Sequence, residues 1–125
     1  MESSSLEIGI ENQCAFEVEG RLLTDVRGTL PRAVLSTPGM ILMMEHTASD
    51  LVHPQLGPGK ATVGFEVCVK HVGAVFEGER CTARARLDEI VDGRKLRFSV
   101  EVVAEDGRTI GVGTHERRII DRGSG

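Results

Sequence analysis

The apolar positions of this chain change their spacing twice, and the changes divide it into distinct stretches. From Leu6 to Val18 they alternate loosely, with Cys14, Phe16 and Val18 on one face and Ala15, Glu17 and Glu19 on the other. That pattern predicts one long or broken strand. Gly20 to Arg32 has no sustained period and mixes charges with Gly28 and Pro31, which predicts a loop able to cover a neighbouring surface. A helical spacing follows. Ser36 or Thr37 supplies a cap, Pro38 suits the first helical position, and Ile41, Met44, Glu45, Ala48, Leu51 and Val52 mark one stripe before Pro54 stops the helix.

Past the turn cluster Leu56-Gly57-Pro58-Gly59 the period falls from about 3.6 to about 2. Val63, Phe65, Val67, Val69 and His71 share one face of the next run. Cys81, Ala83, Ala85 and Leu87 then alternate against Thr82, Arg84, Arg86 and Asp88, and Leu96, Phe98, Val100 and Val102 point inward in a third run. Asp92-Gly93 and Asp106-Gly107 are hairpin turns, and Thr109 to Ile120 is the last strand. The order of strand, loop, helix and four antiparallel strands is α+β. The natural solution is the hot-dog fold, a curled antiparallel sheet wrapped around one long helix whose stripe it buries. A single domain over residues 6–120 is expected, with a disordered N-terminus at 1–5 and a polar tail at 121–125. One helix covers only one face of a sheet, so the chain is expected to form a homodimer, or a dimer of dimers.

Composition narrows the partners. The 125 residues and 40% hydrophobic content suffice for one core. With 4 Phe and no Tyr or Trp, the chain lacks the stacking faces of a single-stranded nucleic-acid platform. A net charge of −4 repels phosphate backbones and anionic membranes, so no nucleic-acid and no membrane partner is expected. No run approaches the ~18 apolar residues of a span, and Met1 to Ser5 lacks a basic stretch leading into an apolar one, so a cytoplasmic location is expected. Cys14, Cys68 and Cys81 have no C-x-x-C spacing and read as small buried hydrophobes.

Three motifs fail on their chemistry. Gly57-Pro58-Gly59-Lys60-Ala61-Thr62 has Pro54 where a phosphate loop needs Gly and Ala61 where it needs Ser or Thr, and it leads into a strand. Gly111 and Gly113 lie in a late strand without a third glycine, and read as places where another backbone or ligand comes close. His46, Asp50 and His53 fall largely off the apolar stripe and lack the H-E-x-x-H spacing, so they read as a solvated helix face. No metal and no cofactor is expected.

Two polar residues stand where the pattern wants apolar ones. Glu45 lies on or beside the helical stripe, and His71 ends the apolar face of the strand from Val63 to Val69. In a sheet wrapped around the helix those faces meet, so a carboxylate and an imidazole converge in a partly dry place, which suits acid–base work. The plainer alternatives are a glutamate reaching solvent, a hydrogen-bonded strand-end histidine and, for Thr37, a helix cap.

Thr37, the segment Met40 to Glu45, the segment Gly64-Phe65-Glu66-Val67-Cys68-Val69-Lys70-His71 and Gly113-Thr114-His115-Glu116-Arg117 together resemble the hot-dog thioesterases related to fluoroacetyl-CoA thioesterase. The resemblance runs from about Val34 to Ile120. It implies a catalytic group of Thr37, Glu45 and His71, substrate contacts from Gly64 and Arg117, and an acyl-CoA substrate. In those roles Glu45 would activate water or attack as nucleophile, His71 would serve as acid and base, and Thr37 would orient. About 12 Å of helix separates Thr37 from Glu45 if all between is helical, so a shared site needs a bent lead-in or a residue from a partner chain. The aromatic lid of the fluoroacetyl-CoA enzyme has no counterpart in Gly20 to Ala33, which points to a small or medium acyl-CoA. Lys60, Lys70, Arg84 and Arg117 are candidates for the nucleotide end of coenzyme A. The alternatives are a non-catalytic acyl-CoA-binding module and a hot-dog enoyl-CoA hydratase, although the Asp/His helix motif of the latter is not evident.

Overall fold

In the computed structural model, which describes residues 6–122, the alternating runs become strands and the helical stripe one α-helix. In chain order these are β1 (Glu11–Glu17), β2 (Leu23–Thr24), β3 (Val34–Leu35), α1 (Thr37–Val52), β4 (Lys60–His71), β5 (Arg80–Val91), β6 (Lys95–Ala104) and β7 (Thr109–Asp121). Asp121 closes β7 opposite Lys60, while residues 123–125 of the expected tail and the expected disordered start at 1–5 lie outside the described residues. Five strands form one antiparallel sheet in the order β1-β5-β6-β7-β4, and α1 packs on one of its faces. This is the hot-dog architecture expected.

The core forms where the two periods meet. Leu87, Leu96, Phe98, Val102 and Ile110 from the sheet are sealed with Met40, Met43, Met44 and Val52 from α1. Each such side chain contributes about 1.5–3 kcal/mol of transfer free energy. The buried helical stripe is Met40, Met43, Met44, Thr47, Ala48, Leu51 and Val52, which corrects the expected one: Ile41 and Glu45 sit on its margin. The run Met40-Ile41-Leu42-Met43-Met44 is apolar throughout, so spacing alone could not set its phase. Thr47 is tolerated inside because its hydroxyl donates to the Met43 carbonyl at 2.8 Å. Cys81 is buried as expected, but Cys14 is half-buried and Cys68 is exposed, because β4 is an edge strand with less to cover it.

The start of α1 also departs from the sequence reading. Ser36 alone is the cap, its Oγ accepting from the Gly39 N–H at 2.9 Å, and Thr37 is the first helical residue. The Thr37 hydroxyl is therefore released for other work. The loop expected over 20–32 contains a 3₁₀ turn at Gly20–Leu22 and the strand β2, which pairs with β3. It is tied to the helix start where the Ser36 N–H donates to the Leu22 carbonyl at 2.8 Å.

Strand β4 does not keep one alternation. Gly64 pairs with Arg117 and Glu66 with Glu116, so Phe65 is an extra residue in a β-bulge. The bulge corrects the expectation that Val63, Phe65, Val67, Val69 and His71 share a face. Phe65 instead lies beneath the Arg118 guanidinium, 3.5 Å from its ring centroid, whereas Gly64 faces α1. After the bulge, Val67 and His71 take the helix-facing phase, opposite His115 and Gly111. Gly64 and His71 are seven residues apart and would lie on opposite faces of a regular strand. The extra residue puts both on the same one.

Candidate functional site

The five residues singled out by the motifs fall into two groups along the seam between α1 and β4. At the first turn of the helix, Thr37 Oγ1 lies 2.8 Å from His71 Nδ1 in a hydrogen bond. It forms because the cap belongs to Ser36 and because the bulge turns the end of β4 toward the helix. An imidazole so held at Nδ1 keeps Nε2 for proton transfer.

Two turns further along α1, Glu45 meets Gly64 and Arg117. Arg117 Nη1 is 4.0 Å from Glu45 Oε2, and a Cβ on Gly64 would lie 2.6 Å from that same oxygen. Only a glycine leaves room for the carboxylate there. Gly111 serves packing in the same way, its bare face filled by the Met40 thioether. Arg117 is 8% exposed, its Nε donating to Thr62 Oγ1 at 2.8 Å and its Nη2 to the Thr62 carbonyl at 3.2 Å. Burial lowers its pKa, opposed by the Glu45 charge. The Glu45 side chain is 36% exposed, so one chain does not supply the dry place expected of it.

Within one chain, among the described residues, no hydrogen bond or ion pair joins Glu45 to His71; His71 meets Thr37 and Glu45 meets Arg117. An open trough of about 470 Å³, lined by Arg21, Pro38, Gly39, Ile41 and Leu42, has Glu45 at its edge. The marginal Ile41 and exposed Leu42 line it because the stripe is rotated away from them.

Sequence reasoning missed Thr62 and His115 as site residues. Thr62 lies two residues before Gly64, and His115 shares a strand phase with Arg117, so alternation from the known members would have found both. Of the cations considered for coenzyme A, Lys60 pairs with Asp121 and Arg84 with Glu101, whereas Lys70 is exposed next to His71. His46 and Asp50 form a half-exposed ion pair at 3.1 Å with Cys14 close by, while His53 has moved into the 3₁₀ turn after α1.

The model of the fluoroacetyl-CoA-specific thioesterase family matches residues 18–123. The fluoroacetyl-CoA thioesterase of Streptantibioticus cattleyicolor is 39% identical over 88 residues, 70% of this chain and 61% of that protein, so less than two thirds of the relative's length is spanned. A solved fluoroacetyl-CoA thioesterase superimposes with a TM-score of 0.84 at 27% identity, covering 94% of this chain and 90% of that one. A thioesterase superfamily member from Thermus thermophilus gives a TM-score of 0.83 at 25% identity over 93% of this chain and 85% of its own. A hot-dog-like protein from Thermanaerovibrio acidaminovorans, 19% identical, shares the fold with a TM-score of 0.81 over 91% and 83%.

Proposed function

Because this chain belongs to the fluoroacetyl-CoA-specific thioesterase family, we propose that it hydrolyses a small or medium acyl-CoA thioester to free acid and CoA, as a cytoplasmic homodimer. The observation that carries the reading is the Thr37–His71 hydrogen bond on a chain whose Glu45 faces Gly64 and Arg117. Two halves of a hydrolytic site are present, each short of what the other holds.

A two-fold axis beside β4 supplies the missing juxtaposition. β4 is an edge strand, and Val63, Phe65 and Val67 on it are 44%, 58% and 36% exposed. Antiparallel pairing with a second β4, centred on Cys68, sets His71 opposite the bulge at the partner subunit's Gly64. The imidazole of one chain then approaches the carboxylate of the other, and pairing satisfies the bare edge.

In that site the Glu45 carboxylate takes a proton as water attacks the thioester carbonyl carbon, and the backbone N–H of Thr37 at the start of α1 or that of Gly64 receives the developing oxyanion. The C–S bond breaks, and the sulfur leaves with a proton from His71 Nε2. Attack by Glu45 itself consumes the same water one step later, through an anhydride. Thr37 holds the ring. The acyl group lies in the trough by Ile41 and Leu42, and the lack of aromatic side chains in residues 20–33 argues against a site dedicated to fluoroacetate.

The test is free-thiol release from fluoroacetyl-, acetyl-, butyryl- and hexanoyl-CoA. Wild type turns over at least one of them, and Glu45→Ala and His71→Ala each lose roughly 10²–10⁴-fold. No release above background across the panel, or two variants equal to wild type, would overturn the reading.

A further inference from the structure

His115 is the one histidine buried with the core, 2% exposed, and the mechanism above does not use it. Its ring stacks on Phe98 with centroids 6.0 Å apart. Its two nitrogens have different partners. Nδ1 lies 2.8 Å from the Glu66 carbonyl, which can only accept. Nε2 lies 3.2 Å from Arg117 Nη1, which can only donate. Both contacts require the same species, a neutral ring with its proton on Nδ1.

That tautomer links three features of the site. Glu66 is the residue that follows the bulged Phe65 on β4, so the Nδ1–H bond pins the strand just where the bulge turns Gly64 toward Glu45. The Nε2 lone pair takes one N–H of Arg117, and Thr62 takes two more. The guanidinium is thereby held at three points, and Nη1, which bonds His115, is also the nitrogen 4.0 Å from Glu45 Oε2. We propose that His115 is a positioning residue that, as an unprotonated acceptor, fixes Arg117 opposite Glu45 and couples it to the β4 bulge. The proposal rests on the reading of Glu45 and Arg117 as members of the thioesterase site.

The charged groups facing the ring are Arg117 from its own strand and Glu45 from α1; β4 offers a carbonyl and β6 the Phe98 ring. Burial is the main reason the His115 pKa is lowered, with the Arg117 charge acting in the same direction against the Glu66 bond and Glu45. Protonation at Nε2 would oppose two donors and two cations. The unfolded chain then binds more protons than the folded one as pH falls through the ordinary histidine range, so His115 costs stability in that window and none above it.

Two measurements on the whole of this chain test this. The first needs no activity: ¹⁵N NMR of the His115 ring places the proton on Nδ1 and shows titration below about 6.5. A proton on Nε2, or titration at or above that value, overturns the proposal whatever the enzyme does. The second is a mutant cycle read in thiol release. His115→Phe keeps the stack on Phe98 and loses about tenfold or more in kcat/KM, as for a buried donor left without its acceptor. His115→Gln, whose oxygen can accept from Arg117, recovers most of that loss with an acid limb shifted from that of wild type. In an Arg117→Ala background His115→Phe changes the rate by less than about twofold. An equal loss in both backgrounds makes His115 structural only and overturns the proposal. Absence of all turnover in wild type sinks the thioesterase reading, and the NMR result then decides His115 alone.

Discussion

Along β5 and β6 alternate residues are sealed against α1, with Ala83, Leu87, Leu96, Phe98 and Val102 at most 1% exposed, whereas on β4 Phe65 is 58% exposed and Val63 44%. Both regions carry similar apolar alternation. The difference is position: β5 and β6 lie inside the sheet with the helix over them, and β4 is its last strand. The same pattern that makes a core in one place makes an unsatisfied edge in the other, and the candidate residues gather at the unsatisfied edge. Glu45, Gly64 and His71 all lie on the seam beside β4, while none of the proposed catalytic and substrate-contacting residues lies on β5 or β6.

The strongest way to break this contrast is to ask whether the β4 edge completes the site. Glu45→Ala and His71→Ala protein, each inactive alone, are unfolded together and refolded as a mixture. If the site is shared between chains, random pairing regains about a quarter of wild-type activity per protomer, since half the dimers are mixed and each has one intact site. A mixture as inactive as its parts would place the whole site within one chain.

Stability sharpens the contrast next. Phe98→Ala, in the sealed region, lowers the urea unfolding free energy by about 3–5 kcal/mol. Phe65→Ser, at the edge, costs a monomer no more than about 1 kcal/mol, the value of its exposed contact with Arg118. It weakens self-association instead, which sedimentation detects as a shift toward monomer. Equal losses for the two variants would mean that β4 is as much part of the core as β6.

The smallest effect is chemical. Burial pushes the Cys81 thiol on β5 up to about 11, whereas Cys68 on β4 is exposed. A disulfide reagent at mild alkaline pH therefore modifies Cys68 in the Phe65→Ser monomer, where the β4 edge is open, and Cys81 only when denaturant is added. Equal rates would show that the sealed region opens as readily as the edge.

Much of this protein is written in local pattern. The switch of period after Pro54, the Asp92-Gly93 turn with both residues at positive φ, and the helix start before Pro38 are set by neighbouring residues, and each was legible in the chain. Glu45 and His71 stood out as polar residues among apolar ones, although Glu45 lies on the margin of the buried stripe and the bulge sets the phase of His71. Local pattern failed where one residue breaks the count or where several satisfy it. The bulge at Phe65 reverses the faces of β4 without a sequence signal, and Met40 to Met44 fit any helical phase.

Which side chains meet was decided only by the folded chain. Thr37 is freed because Ser36 takes the cap, and it then finds His71, 34 residues away. His115 is made an acceptor by Arg117 on one side and by a carbonyl 49 residues distant on the other. A periodicity records what a residue owes its neighbours in sequence, while tautomer, cap and partner are settled by groups that only folding brings within about 3 Å.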